Sequence, residues 1–364
     1  MNNASTAGGF RAADLIGYAT ELLTGVGLPQ EKASRTAEIL VEGDMLGHTT
    51  HGLALLPGYL GALQDGSMSK DGDHLVVADS GATATWDGRR LPGPWLVSTG
   101  IELGVARAKK YGSFILAIRR SHHIGCLAAY LQKATDQGLV VLVASSDPAI
   151  ESVAPFGGTR RMITPNPLAA GIPTSGEPIL IDISMSTTTN AMVTRARNQG
   201  APLPHGWLLD ANGNPTSDPG AFFTDPPGSI LPLGGTELGY KGFGLGLLIE
   251  ALTSGLGGHG RADPAEGWGA SVFIQLFDPA AFGGLDSFNR QLDTLADRVR
   301  QNPPVPGNDK VRLPGERGLA LKARQLQAGL ELHASIMPAL KTWATKLGVQ
   351  MPQAEGPIEL TDQS

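Results

Sequence analysis

The chain has 364 residues, 41% of them hydrophobic, with 28 Lys and Arg against 34 Asp and Glu for a net charge of -6. That mild acidity argues against a protein that grips a nucleic-acid backbone, because no basic excess exists to displace counterions, and the apolar content argues for a globular chain. One cysteine, Cys126, excludes an intramolecular disulfide framework and any multi-thiolate metal site. The N-terminus lacks the basic start and apolar run of a secretory signal, and no uncharged apolar stretch reaches about 18 residues. A cytoplasmic protein without membrane contact is the expectation.

Residues 10–47 read as helical in two stretches. Leu15, Ala19, Leu22 and Leu23 recur at helical spacing in the first, and the second runs from Glu31 to Leu46. Gly25, Gly27 and Pro29 separate them. A third helix is expected over Leu53–Leu63, then short strands at His74–Ala78 and Ala82–Trp86, then a helix over Pro94–Lys110. From Ser113 the character changes. SFILAIR, LVVLVAS and PILIDIS are short β-branched apolar runs, the pattern of buried strands. Helical patterns lie at Cys126–Gln137 and Thr187–Gln199, and a glycine-rich helix is expected over Gly242–Leu256. A strand at 271–277 and helices near Ser287–Gln301, Leu319–Leu332 and Met337–Leu347 complete an α/β pattern.

Several familiar motifs fail. A GxGxxG string at Gly255–Gly260 follows a helix rather than a strand, so it reads as a helix end and not a Rossmann turn. There is no P-loop, HExxH or GxSxG. His48 and His51 are three apart with no third ligand nearby in sequence, so no metal is expected.

Four segments carry chemistry-bearing residues. His51, in HTTHGLALLPGYL, opens an apolar helix; its imidazole suits proton transfer at neutral pH, although spacing alone favours a capping or surface histidine. In RRSHHIG, His122 and His123 should point to opposite sides of an extended chain, so at most one reaches a site. Asp182, in PILIDISMS, sits on an apolar strand and needs a partner, because lone buried charge is costly. Ser184 or Ser186 reads equally as a helix cap. Tyr240-Lys241 lie between glycine-rich turns at an expected helix start, where a phosphate or close helix packing would each account for the glycines.

Taken in order, THGLALLP (50–57), SHHIG (121–125), PFGG (155–158), NPLA (166–169), DISMS (182–186), GWLLDANGNPTSDP (206–219), LPLGG with GYKGFGLGLLIEAL (231–252) and RLPGER (312–317) give the chain its resemblance to a known family. The chain resembles the type-two malate/L-lactate dehydrogenases, with ureidoglycolate dehydrogenase, sulfolactate dehydrogenase, diketogulonate reductase and piperideine-carboxylate reductase among their relatives. The resemblance implies a non-Rossmann α/β fold and a homodimer. It implies a helical N-terminal part, 1–112, carrying the catalytic histidine and packing with C-terminal helices 286–352. A mixed-sheet cofactor domain would span 113–285 and a loose tail 353–364. It implies an NAD(P)-dependent dehydrogenase or reductase acting on a small 2-hydroxy or 2-oxo acid or a cyclic imino acid.

By the same resemblance His51 is the proton donor, and His123 has an acid–base or substrate-orienting role. Ser146, Asp182, Ile183, Ser184, Met185, Ser186, Tyr240, Lys241, Gly315, Glu316 and Arg317 match cofactor-contacting segments. Glu316 would favour a ribose hydroxyl and Arg317 a phosphate, leaving NAD and NADP both open. One departure stands out: Leu55 occupies the position where the family carries an arginine able to fork onto a substrate carboxylate. Arg195, Arg197, Arg120 or its neighbour Arg119 are the replacement candidates. The alternative is a catalytically impaired or non-catalytic cofactor-binding homodimer of the same fold. A hydrolase or lyase using His51 with Asp182 has no nucleophile elbow or metal set behind it.

Overall fold

The computed structural model describes residues 9–354, so the tail expected from 353 lies outside the described residues beyond its first two positions. Helices α1 (Ala12–Gly25), α2 (Gln30–Met45) and α3 (Leu56–Asp65) open the chain, with a tight turn at Leu53–Leu55 before α3. Strands β1 (Leu75–Asp79) and β2 (Thr83–Asp87) follow, then α4 (Gly93–Tyr111). Gly66 and Gly112, at φ 83° and 84°, end α3 and α4 in the left-handed conformation that glycine adopts without penalty.

Next come β3 (Ser113–Ser121), a 3-10 turn at Leu127–Tyr130, the short α5 (Gln132–Thr135) and β4 (Val140–Ser146). Strands β5 (Leu168–Ile172) and β6 (Ile179–Ile183) lead to α6 (Asn190–Asn198). A small sheet of β7 (Leu208–Leu209), β8 (Pro215–Thr216) and β9 (Ser229–Ile230) precedes α7 (Gly235–Glu250), which runs on as a π-turn to Gly255. β10 (Ala270–Phe277), α8 (Leu285–Arg300), α9 (Glu316–Ala328) and α10 (Ile336–Leu347) complete it.

The main sheet has seven strands in the order β1-β2-β3-β10-β4-β5-β6. Among the described residues only β2 and β3 pair in parallel, joined across α4; the other pairs of this sheet are antiparallel. It is thus a mixed α/β sheet. Ala270 faces Ser121 and Ser271 faces Ser146, so the ends of β3 and β4 meet the start of β10 at one edge. Leu168 faces Ile183 at the same kind of junction, between the start of β5 and the end of β6.

Two large cores support this sheet. One lies between α4 and the sheet, built on Trp86, Leu96, Phe114, Leu116, Ile274 and Leu276. The other joins α1, α2 and α3 to α10 through Leu15, Leu22, Leu40, Leu60 and Leu340. A bridge between Phe10 and Leu330 ties the segment before α1 to the segment after α9.

Two expected elements differ, and one strand of the main sheet was not expected. The helix over Cys126–Gln137 is broken into two short pieces; the Ala128 N–H, which a continuous helix would have to accommodate, instead donates to the Asp182 carboxylate at 2.9 Å. The glycine-rich helix begins at Gly235, seven residues before the expected start at Gly242. Three of its glycines, Gly239, Gly242 and Gly246, are pressed by neighbours, a Cβ at Gly242 meeting the Leu233 backbone oxygen at 2.4 Å, whereas Gly244 faces open space. The strand β5, LAAGI, went unread because Ala and Gly have low strand propensity. It fits because Gly171 lets Thr135 approach, a Cβ there meeting it at 2.8 Å.

Candidate active site

The sheet edge just described forms one wall of a cleft of about 510 Å³. The turn after α2 supplies His48, Thr50 and His51, and Leu55 of the following turn; the segment after β3 supplies His123 to Leu127. The end of β4 gives Ser145, Ser146 and Asp147, β6 gives Asp182, and Ser184 follows it. Thr189 to Met192, at the start of α6, and Trp268, before β10, close the rim.

His51 is held by local hydrogen bonds. Its N–H donates to His48 O at 2.8 Å, and the N–H of His48 donates to Gly43 O at 2.9 Å at the end of α2. Thr50 Oγ1 lies 2.9 Å from His51 Nδ1. Beneath this turn sits buried Asp44, whose Oδ2 accepts the Leu53 N–H at 2.7 Å. Gly52 is required there, since a Cβ would meet the Asp44 carboxyl at 2.4 Å. Burial lowers the His51 pKa to about 4, with His48 adding to the effect.

His123 stacks 6.1 Å from His51, centroid to centroid, and 4.7 Å from the Trp268 ring. The Gly125 N–H donates to His123 Nδ1 at 3.2 Å, and Tyr59 Oη lies 2.9 Å from the same nitrogen. A backbone N–H can only donate, so Nδ1 is an acceptor and the ring proton sits on Nε2. Burial, reinforced by His51 and His122, holds the ring well below the usual histidine range and therefore neutral. His122 points away, is buried against Tyr59 and Trp268, and does not line the cleft. The alternation expected of an extended segment is what separates the two rings.

Asp182 Oδ2 accepts the Ala128 N–H at 2.9 Å and lies 3.7 Å from Cys126 Sγ; burial raises its pKa. Ser146 Oγ donates to Glu250 Oε1 at 2.8 Å, and Arg261 pairs with the same carboxylate at 2.9 Å. This leaves the Ser146 oxygen able to accept. His51, His123, Ser146, Asp182 and Ser184 thus share one cleft.

The other expected residues lie elsewhere. Ile183 faces solvent, whereas Met185 and Ser186 are buried, and Ser186 Oγ donates to Thr188 O. Tyr240 and Lys241 are exposed in the second turn of α7, not at its N-terminus, and Tyr240 packs edge-on against Phe156. Gly315, at φ 89°, fits against β6, where a Cβ would meet Leu180 Cβ at 2.7 Å. Glu316 is paired with Arg300 at 2.6 Å, and Arg317 is exposed on α9.

Among the arginines, Arg120 turns to Glu266 at 3.1 Å and Asp87 at 3.3 Å, and Arg119 turns to Asp87 at 3.2 Å. Arg197 covers the Phe223 ring at 4.2 Å. Arg195 alone of the four reaches the histidine turn, its guanidinium donating to Thr49 Oγ1 at 3.2 Å. Leu55 lies in the cleft wall, whereas Arg195 approaches from Thr49 and is not among the residues that line it.

Sequence reasoning missed the start of α6. Thr189 caps this helix, accepting the Met192 N–H at 3.3 Å, and Asn190 Oδ1 is buried without a partner among the described residues. The polar run STTTN was the available signal. Asp147 and Trp268 were also missed, because their segments carry no motif and reach the cleft only through the strand pairing.

A family model described as malate/L-lactate dehydrogenase matches residues 10–341. The L-lactate dehydrogenase of Cupriavidus necator is 33% identical over 346 residues, covering 92% of this chain and 97% of that protein. The (2R)-3-sulfolactate dehydrogenase (NADP(+)) of Chromohalobacter salexigens is 32% identical over 343 residues, 92% of this chain and 97% of that protein. The solved structure of delta1-piperideine-2-carboxylate reductase from Pseudomonas syringae matches at a TM-score of 0.81 and 27% identity, covering 92% of this chain and 99% of that one. With the mixed sheet and the two-histidine cleft, these matches establish that the chain belongs to the malate/L-lactate dehydrogenase family and is an oxidoreductase of CH–OH groups.

Proposed function

We propose that this enzyme moves a hydride between NAD or NADP and a small 2-hydroxy or 2-oxo acid or cyclic imino acid, with His51 as the acid and base. The observation that carries the reading is the convergence of His51, His123, Ser146, Asp182 and the N-terminus of α6 on one cleft. The residues there fit a dinucleotide. The first turn of α6 offers backbone N–H groups and a positive dipole end to a phosphate. Ser146, Asp182 and the unpaired Asn190 Oδ1 offer acceptors to hydroxyl or amide groups. The relatives' activities, on lactate, on sulfolactate with NADP and on an imino acid, support the same class.

Bound in the cleft, the dihydronicotinamide supplies the hydride. His51 gives a proton to the substrate oxygen or nitrogen that takes up the electron pair, and in the reverse direction takes that proton back. An anionic substrate beside His51 raises its pKa from the low value of the open cleft and so charges the ring for this step. The fixed Nε2–H of His123 serves as a neutral hydrogen-bond donor that orients the reacting oxygen. Arg195 supplies the cation for the substrate carboxylate in place of Leu55. The soluble form is a homodimer built on the outer face of α7, where Leu238, Leu245 and Leu248 are exposed.

Titration of NADH and NADPH into the full-length chain, followed by fluorescence, tests the reading. Saturable binding of at least one is expected, with turnover on a member of a 2-oxo acid and imino acid panel. No response to either cofactor overturns it. Cofactor binding with no turnover on the whole panel favours the second reading, a non-catalytic cofactor-binding dimer, which the leucine at position 55 motivates.

A further inference from the structure

The sequence offers a metal only the pair His48 and His51, but the tertiary structure groups His48 with Cys126 and Asp182 instead. We propose that these three side chains form a binding site for one divalent ion of the Zn²⁺ class on the wall of the cleft. Their nitrogen, sulfur and oxygen donor atoms all lie within 4.8 Å of one another, and Cys126 Sγ is 3.7 Å from Asp182 Oδ2. A tetrahedral ion with bonds of about 2.0–2.3 Å holds its ligand atoms roughly 3.3–3.8 Å apart. The sulfur–oxygen pair already has that spacing. The imidazole has to move by about 1 Å, well within the reach of a half-buried side chain on a turn.

The ligands come from three separate segments: the turn after α2, the stretch after β3, and β6. The Ala128 N–H donates to the same carboxylate oxygen, Oδ2, at 2.9 Å and fixes its position, as outer-shell donors do in metal sites. All three residues line the open cleft, so an ion has a path from solvent and a free fourth position facing the cavity. Three protein ligands with one open position is the arrangement of exchangeable zinc sites. A thiolate with an imidazole selects Zn²⁺ or Co²⁺ over Mg²⁺ and Ca²⁺. The reaction is a ligand exchange: the S–H bond of Cys126 breaks, its proton leaves to solvent, and a sulfur–metal bond forms with no change of oxidation state. The site shares Asp182 and the cleft with the proposed cofactor reading, and its binding test reads Cys126 without any turnover.

Co²⁺ titrated into the metal-free full-length chain, followed by absorption, tests it. Because Cys126 is the chain's single cysteine, a thiolate-to-cobalt charge-transfer band reports that residue alone. One equivalent with this band and tetrahedral visible bands is expected. Cys126→Ser abolishes the band, and His48→Gln weakens binding at least ~100-fold, since changes outside the ligand set already cost 10–100-fold. Circular dichroism verifies that both variants are folded. Absence of the band in the native chain, its survival in Cys126→Ser, or unchanged affinity in His48→Gln overturns the site.

Discussion

The two imidazoles of the cleft differ in what they can do with a proton. His123 has its Nδ1 occupied by a backbone N–H, so its ring proton is fixed on Nε2. Among the described residues His51 has only the Thr50 hydroxyl at Nδ1, a group that donates or accepts as needed. His51→Ala should therefore lower turnover by about 100-fold or more while the fold persists; steady-state rates with circular dichroism check this, and near-native rates would reassign the acid. Nitrogen-15 NMR of the imidazoles should show His123 as the neutral Nε2–H tautomer at pH 7. A different residue sets the stability of the histidine turn. Burial pushes the Asp44 carboxyl up to about 7, with the Leu53 N–H pulling the other way. A carboxyl raised on folding contributes stability below its unfolded value and loses that contribution as pH rises toward about 7. Asp44→Asn, neutral throughout, should gain on the native chain by up to about 4 kcal/mol between pH 4 and pH 8. Denaturation midpoints that move in parallel over that range would show that Asp44 is ionised in the fold.

Single elements differ in what they present to the cleft. Helix α6 aims its first turn into the cleft, whereas Lys241 lies exposed in the second turn of α7. Thr189→Ala removes the cap, costs about 1 kcal/mol of local stability, and should weaken NADH or NADPH binding more than Lys241→Ala does. Parallel fluorescence titrations decide between the two helices; the reverse order would return the phosphate to α7. Helix α7 itself shows why a glycine-rich sequence forms a helix at all. Gly239 and Gly242 let Phe156 and Leu233 approach its axis, and that packing offsets their poor propensity. Tyr240 and Lys241, expected at a helix start, lie in the second turn of this helix.

At the scale of the whole molecule, the leucines of α7 form an exposed apolar surface. A homodimer covering them predicts sedimentation at twice the chain mass and a shift toward monomer in Leu248→Glu. A native chain that sediments as a monomer would remove that role from α7. The fold also brings distant parts of the sequence together: α10 packs into the core of α1–α3. Helix-by-helix periodicity made α1, α2, α4 and α8 legible, because each has a continuous apolar stripe. The short strands β7, β8 and β9 were not, since two-residue strands carry no period.

Local pattern was enough to identify the α/β class, the strands built from β-branched runs, and the motif segments holding His51, His123 and Asp182. Covalent order could not say that β10, from late in the chain, inserts between β3 and β4. That insertion brings Trp268 against His123, as the break near Ala128 brings Cys126 to Asp182. Such contacts depend on hydrogen-bond register between distant strands and on buried groups finding partners, and neither leaves a trace in the spacing of neighbouring residues.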